Sequence, residues 1–434
     1  MWLIVLVLFF SFLIRLIGIN QSLWLDEAIS VNVAKMSLSN IVNNFSIADF
    51  HPPSHYFFLN IWIRLFGDGV VVMRISSVLF SLITIYLVYK IGKEIKNKKF
   101  GLWAALLTGV NPLLIYFSQE LRMYMLVVML LVGAIYFFIK LNKEVNWRNI
   151  LGFNLLIGSS FLSFYGSIFL IGAMFLYWLF KKKFKLFFIN SIGIILAIII
   201  IGPLLWTQLM NSQKALVDVS NWASTLGKVN LKNLFLIPIK FTVGKISWYP
   251  KKFYYLIAGL GTMVAALFSL KGLIKDKVLR FLLIVPLILG IIFSLKTPLL
   301  QYFRFLYLIP IWSLLIAYSK KGRKIVFIIF LLFSSIYLLN PKMHREDWKS
   351  LSASLKKEDN IYLISSFGDP IRYYNSEVKI NDIKSSEPEE DKIKIVKYGE
   401  EIHGVDSSKK VEGLGYKKIG EENFRGIKLE KWQK

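Results

Sequence analysis

The chain contains no cysteine. That absence excludes disulfides, thiolate metal sites and a cysteine nucleophile. Acidic residues are scarce beside basic ones, 27 Asp+Glu against 53 Lys+Arg, and there are only four histidines. No Gly-rich phosphate loop, fixed-period repeat or low-complexity tract is present, so nucleotide binding has no support in the sequence. The formal charge of +26 suggests nucleic acid until it is divided along the chain. Residues 341–434 hold 19 Lys+Arg and 18 Asp+Glu, which leaves nearly all the excess on the first 340 residues, where membrane topology and anionic headgroups explain it and no nucleic-acid partner is needed.

What is abundant is apolar. Hydrophobic residues make up 55% of the chain and aromatics 15%, gathered in runs too long for a soluble core of this size. About 20 apolar residues cross the hydrocarbon, and irregular backbone cannot face lipid, so each long run reads as a spanning helix. Eleven candidates lie near 2–19, 70–92, 100–117, 122–140, 150–164, 166–181, 186–205, 253–271, 278–295, 302–319 and 323–340. The expected fold class is an α-helical polytopic membrane protein of about eleven transmembrane helices, with a small C-terminal α/β domain.

Basic clusters at 93–99, 140–148, 181–185, 271–277 and 320–324 all fall on one face if the spans alternate. By the positive-inside rule that face is cytoplasmic, in a multi-pass cell-membrane protein. The N-terminus is then inside, while loops 20–69 and 206–252 and the tail from Pro341 are extracytoplasmic. The first run lacks a basic leader and a small-residue cleavage site, so it reads as a retained first helix. Residues 54–66 are too short and too interrupted by Arg64 to span, and suit an interfacial or re-entrant helix in the first outer loop.

Composition changes at Asn340–Pro341, dividing the chain into a membrane domain (1–340) and an extracytoplasmic soluble domain (341–434). In the latter, 361–365, 393–398 and 427–432 read as strands, 349–357 as a short helix, Gly368-Asp369-Pro370 as a turn and 385–391 as an acidic loop.

The membrane part carries nine carboxylates. Glu94, Glu144 and Asp276 sit among cytoplasmic lysines. Asp26, Glu27, Asp49, Asp68, Glu120 and Asp218 remain on the outer side, several in unusual motifs close to a membrane boundary. Trp24-Leu25-Asp26-Glu27-Ala28 holds two acids near headgroup level, where burial can raise a carboxylate pKa and make a base, or where the pair simply caps a helix. Asp49-Phe50-His51-Pro52-Pro53 places an acid and an imidazole before two residues of fixed φ, which is also what an ordinary turn looks like. Ser118 to Tyr124 puts Glu120 and Tyr124 four apart with Arg122 between them. An ion pair and a snorkelling side chain explain it equally well. Gln301-Tyr302-Phe303-Arg304 opens the tenth run with a cation, placed either to clamp a phosphate or to snorkel. Lys240, Lys245, Lys251 and Lys252 are weaker phosphate candidates.

These segments together resemble the C-type glycosyltransferases, in the branch of protein O-mannosyltransferases and lipid A aminoarabinose transferases (glycosyltransferase family 39-like). The residues that carry the resemblance are 24–28, 49–53, Phe66-Gly67, Arg74-Ile75-Ser76-Ser77, Asn111-Pro112, 118–124, Ser163-Phe164-Tyr165-Gly166 and 301–310, within residues 1 to about 350. Two departures stand out: Ser54 at a usually apolar position, and Phe303-Arg304-Phe305 in place of an Arg-Tyr pair.

The resemblance implies inverting transfer of a sugar from a polyprenyl- or dolichyl-phosphate donor to a hydroxyl on a protein, lipid or glycan, outside the cytoplasm. It implies Asp26 as general base with Glu27 supporting it, and Glu120 as a second acid. Arg122 and Arg304 then bind the donor phosphate, while Asp49, His51, Tyr124 and Tyr165 position donor or acceptor. A divalent cation stays open, since Asp26, Asp49, His51 and Glu120 are hard ligands without a metal-binding spacing. A flippase or transporter of lipid-linked sugars is the rival, although the acids gather on one face and no related halves are evident. A polymerase or ligase of oligosaccharide chains is a further alternative. The tail, attached through Trp348, is placed to hold an acceptor over the site.

Overall fold

The computed structural model describes residues 2–218, 221 and 226–434, the side chains of 215–218 excepted. The Asp218 carboxylate therefore lies outside the described residues. All eleven expected spans fall on helix. Among the described residues six helices are long and apolar enough to cross a membrane on their own: Val70–Ile95, Tyr124–Lys143, Phe184–Lys214, Lys251–Lys275, Lys277–Ser294 and Gly322–Leu339.

The other five runs differ from simple spans. The stretch expected at 100–117 is two helices, Lys98–Gly109 and Pro112–Ser118, bent by 64°. Pro112 has no N–H to continue the first helix, and the Asn111 side chain instead caps the amides of Leu113 and Leu114 at 3.1 Å. A break inside an apolar bundle frees carbonyls that lipid cannot satisfy. Arg15, fully buried on the Trp2–Leu16 helix, takes up the Gly109 carbonyl at 2.9 Å and bonds Ser81 Oγ at 2.9 Å. The run at 302–319 becomes a single turn, Tyr302–Phe305, and a short helix, Leu308–Ala317. All ten residues of that helix are buried, so its apolar faces meet other helices and its length need not match the bilayer. Trp2–Leu16, Trp147–Ser163 and Ile168–Phe180 are likewise short.

The Ile192–Asp218 helix runs past the expected end at 205. The polar residues that close the apolar run keep the helix useful: Gln208 donates to the carbonyls of Ser46 and His51, and Asn211 to that of Ile47. Helices Val70–Ile95 and Lys98–Gly109 pack closely at Gly92, where an added Cβ would lie 2.6 Å from Gly101 Cα.

Loop 20–69 is mostly helical. Leu25–Ala34 and the amphipathic Ser54–Phe66 pack together over the end of Val70–Ile95. Beyond Leu339 the chain forms a five-stranded sheet of β1 (Ile361–Leu363), β2 (Ile380–Asp382), β3 (Lys392–Lys397), β4 (Lys417–Phe424) and β5 (Ile427–Gln433), in the order β2-β1-β3-β5-β4. β1 is parallel to β2 and β3, and β5 is antiparallel to β3 and β4. Helix Trp348–Ser354 falls on the short helix expected at 349–357, while the expected turn at Gly368-Asp369-Pro370 opens a second short helix, Asp369–Tyr374.

β2 and β4 were not expected from the sequence. β2 is three residues long, and β4 is a charged edge strand whose alternation is masked by its lysines and glutamates. Besides its backbone ladder to β5, two ion pairs cross the strands, Lys431 to Glu422 at 2.5 Å and Lys418 to Glu430 at 2.9 Å.

Candidate active site

The Leu25–Ala34 helix begins with Asp26 and Glu27 in its first turn, where the helix dipole favours negative charge. Successive helical residues point about 100° apart, so the two carboxylates leave the helix in different directions.

Glu27 points inward and is completely buried. Arg74 grips it with two bonds, Nε to Oε1 at 3.0 Å and Nη2 to Oε2 at 2.6 Å. The Leu121 amide donates to Oε1 at 2.9 Å, and Arg345 Nε lies 3.6 Å from Oε2. The remaining donors of Arg74 go to the carbonyls of Ile19, Gln21 and Ser22, so one guanidinium ties the segment after the first helix to the Leu25–Ala34 helix. Burial pushes the Glu27 carboxyl up, but the charges of Arg74 and Arg345 and the bonds from Arg74 and Leu121 carry it below the usual carboxylate range.

Glu120 is the second buried acid, in the turn between Pro112–Ser118 and Tyr124–Lys143. Arg345 Nη2 approaches its Oε2 at 3.2 Å, while its Oε1 has no hydrogen-bond partner among the described residues. Burial raises its pKa to about 7, because Arg345 only partly offsets the desolvation and Glu27 adds a like charge.

Asp26 points the other way. Its side chain is 35% exposed and meets Arg122 Nη2 at 3.7 Å. Arg122 also reaches Ser30 Oγ at 3.4 Å, and its Nε has no hydrogen-bond partner among the described residues. Burial alone would lower the Arg122 pKa, yet the surrounding Asp26, Tyr56, Tyr124 and Asp49 hold it above the ordinary value.

Asp49 and His51 form a second pair beside it. Asp49 Oδ1 accepts from the Phe50 amide at 2.7 Å and meets His51 Nδ1 at 3.3 Å, while Tyr56 donates to Oδ2 at 2.7 Å. Burial raises Asp49, but the charge and hydrogen bond of His51 bring it down overall. The His51 ring stacks on Phe164 with centroids 6.3 Å apart. Its carbonyl accepts from Gln208, whose Oε1 in turn accepts from Tyr165 at 2.6 Å. His55, from the next turn, is buried and driven down to about 3 by desolvation, so it is a neutral core histidine.

Tyr124 forms the wall beneath, edge-on to Phe117, Phe164 and Phe303 at 5.1, 6.2 and 5.4 Å. Arg304 lies on the far side, with Nη1 3.3 Å from the Pro298 carbonyl and its guanidinium 5.9 Å from the Phe303 centroid. Of the lysines, Lys245 comes nearest the acids: its Nζ lies 5.6 Å over the Tyr116 ring, bonded to Tyr302 and within charge reach of Glu120. Lys240 and Lys251 are engaged with Tyr254 and Ser247.

The structure thus gathers Asp26, Glu120, Arg122, Asp49, His51 and Tyr124 at one place, with Tyr165 joined through Gln208, and sets Glu27 behind them. Among the described residues no group of three or more His, Cys, Asp or Glu side chains could hold a metal ion. The sequence reading assigned no role to Arg345, Tyr56 or Gln208. Arg74 was noticed only as part of a motif, although an arginine within the apolar stretch 70–82 is a signal of a buried partner.

Residues 50–206 match the family model of dolichyl-phosphate-mannose-protein mannosyltransferases. ArnT from Cupriavidus metallidurans, solved bound to undecaprenyl phosphate, superposes with a TM-score of 0.57 at 13% identity, over 99% of this chain and 97% of that one. The chain has the C-type glycosyltransferase fold. The oligosaccharyltransferase of Archaeoglobus fulgidus, tethered to an acceptor peptide containing the NVT sequon, superposes with a TM-score of 0.52 at 11% identity, over 87% of this chain and 63% of that one. No curated protein matches the sequence. Within this C-type glycosyltransferase fold, the family match takes in His51, Glu120, Arg122, Tyr124 and Tyr165, and leaves out Asp26, Glu27, Arg304 and Arg345.

Proposed function

We propose that this protein is a membrane glycosyltransferase that moves a sugar from a polyprenyl- or dolichyl-phosphate donor to an acceptor hydroxyl, by an inverting displacement on the extracytoplasmic face. The observation that carries the reading is Asp26: a partly exposed carboxylate facing Arg122 at 3.7 Å, above an aromatic wall, with two buried acids fixed behind it.

In this reading Asp26 accepts the proton of the acceptor hydroxyl as its oxygen attacks the anomeric carbon. The bond from that carbon to the lipid phosphate breaks, and the lipid phosphate departs with its electron pair. Positioned acid–base catalysis of this kind contributes roughly 10²–10⁴-fold. Charge grows on the departing phosphate, which calls for fixed cations nearby, and Arg122 beside Asp26, Lys245 over Tyr116 and Arg304 beside Phe303 are the candidates in this reading. Arg122 also faces Asp26 at 3.7 Å, on the side where the acceptor would enter in this reading. His51 and Tyr165, locked through Asp49 and Gln208, form the wall that positions the sugar. Glu27 acts through the helix it anchors rather than by touching substrate. Donor chemistry of this kind uses no nucleotide, in keeping with the missing phosphate loop. The separation into a membrane domain to residue 340 and an extracytoplasmic domain beyond it belongs to the same proposal.

The test is transfer of radiolabelled sugar from a polyprenyl-phosphate-sugar pool in membranes carrying the wild-type chain or Asp26→Asn at matched expression. Transfer by the wild type alone supports the reading. Transbilayer movement of the labelled lipid without transfer to an acceptor would replace it with the transporter.

A further inference from the structure

Arg345 enters the buried acid layer from outside it, six residues after the last membrane-length helix ends at Leu339. Its side chain is 1% exposed, and its guanidinium lies between the two buried carboxylates, 3.2 Å from Glu120 and 3.6 Å from Glu27. Nη2 also donates to the Tyr116 carbonyl at 3.2 Å, and the plane lies over the Tyr116 ring at 4.2 Å. Glu27 and Glu120 belong to separate loops, and like charges in one buried site repel. A shared cation is what lets both stay where they are.

The backbone of Arg345 is held just as firmly. Its amide donates to Gln21 Oε1 at 3.1 Å, and its carbonyl accepts from Arg425 Nε at 2.6 Å. Arg425 sits in the tight turn between β4 and β5, and its own carbonyl accepts the Asp347 amide at 2.9 Å. The sheet domain thus grips the residue's main chain while the residue's side chain grips the acids. A second contact reaches the same helix: Leu25, next to Asp26, is packed into the sheet domain's core with Trp348 and Leu351. Two further bonds come from the domain, Tyr374 accepting the Leu23 amide at 2.8 Å and Asp369 accepting from Asn32 at 2.8 Å.

We infer that Arg345 is a positioning residue of the active site, through which the C-terminal sheet domain sets the placement of the Asp26 helix and the Glu120 turn. The domain is therefore a structural part of the catalytic centre and not a detachable acceptor-binding appendage. The consequence for turnover rests on the glycosyltransferase reading; the mechanical coupling does not.

Three variants separate positioning from mere charge balance. Arg345→Met removes the cation, Arg345→Lys keeps charge but loses the fork, and Arg425→Met leaves every buried charge in place while cutting the main-chain grip. Since a misplacement of about 1 Å can cost on the order of 100-fold in rate, we expect kcat to fall about 10- to 100-fold in Arg345→Met, with the donor KM changed less than threefold. Arg345→Lys recovers part of that loss, and Arg425→Met loses severalfold. Hydrogen–deuterium exchange provides the readout that needs no activity: amides 25–34 and 118–123 exchange at least tenfold faster in Arg345→Met and measurably faster in Arg425→Met. Wild-type exchange at both segments in folded Arg345→Lys and Arg425→Met overturns the coupling, whether or not Arg345→Met folds. Faster exchange without any sugar transfer by the wild type overturns the functional reading and leaves the coupling standing.

Discussion

Asp26 and Glu27 are adjacent carboxylates in one helical turn, and they have opposite environments. Glu27 is sealed beneath the helix with a bidentate arginine, a backbone amide and a second guanidinium. Asp26 is partly open and meets Arg122 at 3.7 Å. A buried ion pair is costly to assemble and costlier to break, so Glu27 belongs to the architecture. A carboxylate with an open flank can take a proton from a ligand, so Asp26 is the acid we propose for the chemistry. Residue type does not distinguish them; the direction in which each leaves the helix does.

The sharpest way to break this comparison is to neutralise each acid in turn. Asp26→Asn is expected to lower transfer about 10²–10⁴-fold while leaving the unfolding temperature of the detergent-solubilised protein unchanged. Glu27→Gln leaves Arg74 and Arg345 short of their counter-charge and should cost about 3–5 kcal/mol of stability. Thermal unfolding and folded yield measure it, and equal stability in the two variants would erase the distinction between the two acids.

Acid strength sharpens it next. The Glu120 carboxyl is raised from 4.5 to about 7 in the folded protein, so the folded state holds this proton more tightly than the unfolded chain. Its contribution is fully present below the unfolded value and is lost as pH rises from about 4.5 through 7, at roughly 1.4 kcal/mol per pKa unit. Glu27 and Asp49 are depressed and act with the opposite sign, contributing above their unfolded values and failing as pH falls below about 4. Unfolding followed between pH 4.5 and 7 should therefore show Glu120→Gln relatively more stable toward the upper end. A wild-type slope retained in that variant would mean that Glu120 is not the group that titrates.

Smaller effects are expected farther from the acids. Tyr165→Phe removes the 2.6 Å bond to Gln208 and loosens the support of His51, an effect of about 1 kcal/mol that should appear as a severalfold rise in donor KM. On the sheet edge, Lys431→Ala breaks the partly exposed pair with Glu422 and should shift stability by less than ~1 kcal/mol, with transfer unaffected.

Much of this was legible in advance because the relevant physics is local. Long apolar runs located all eleven helical segments, and Asn111-Pro112 carried the chemistry of the break inside one of them. Strands rich in isoleucine were visible, whereas the charged edge strand β4 was not, since it acquires its pairing from β5 rather than from its own pattern. Asp26, Glu120 and Arg122 were found as candidates because polar residues beside apolar runs are conspicuous. Arg345 was not, because Arg345-Glu346-Asp347 reads as a solvated linker until the fold turns its first member inward.

The sequence by itself determined the class of protein and the succession of helices, since both follow from the hydropathy and charge of neighbouring residues. Only the tertiary structure decided which acid stays open and which is locked, because that depends on side-chain direction and on cations delivered from far along the chain. Arg74 lies 47 residues from Glu27 and Arg345 lies 225 from Glu120. No local pattern encodes such pairings, which exist only once the bundle and the sheet domain have closed on one another.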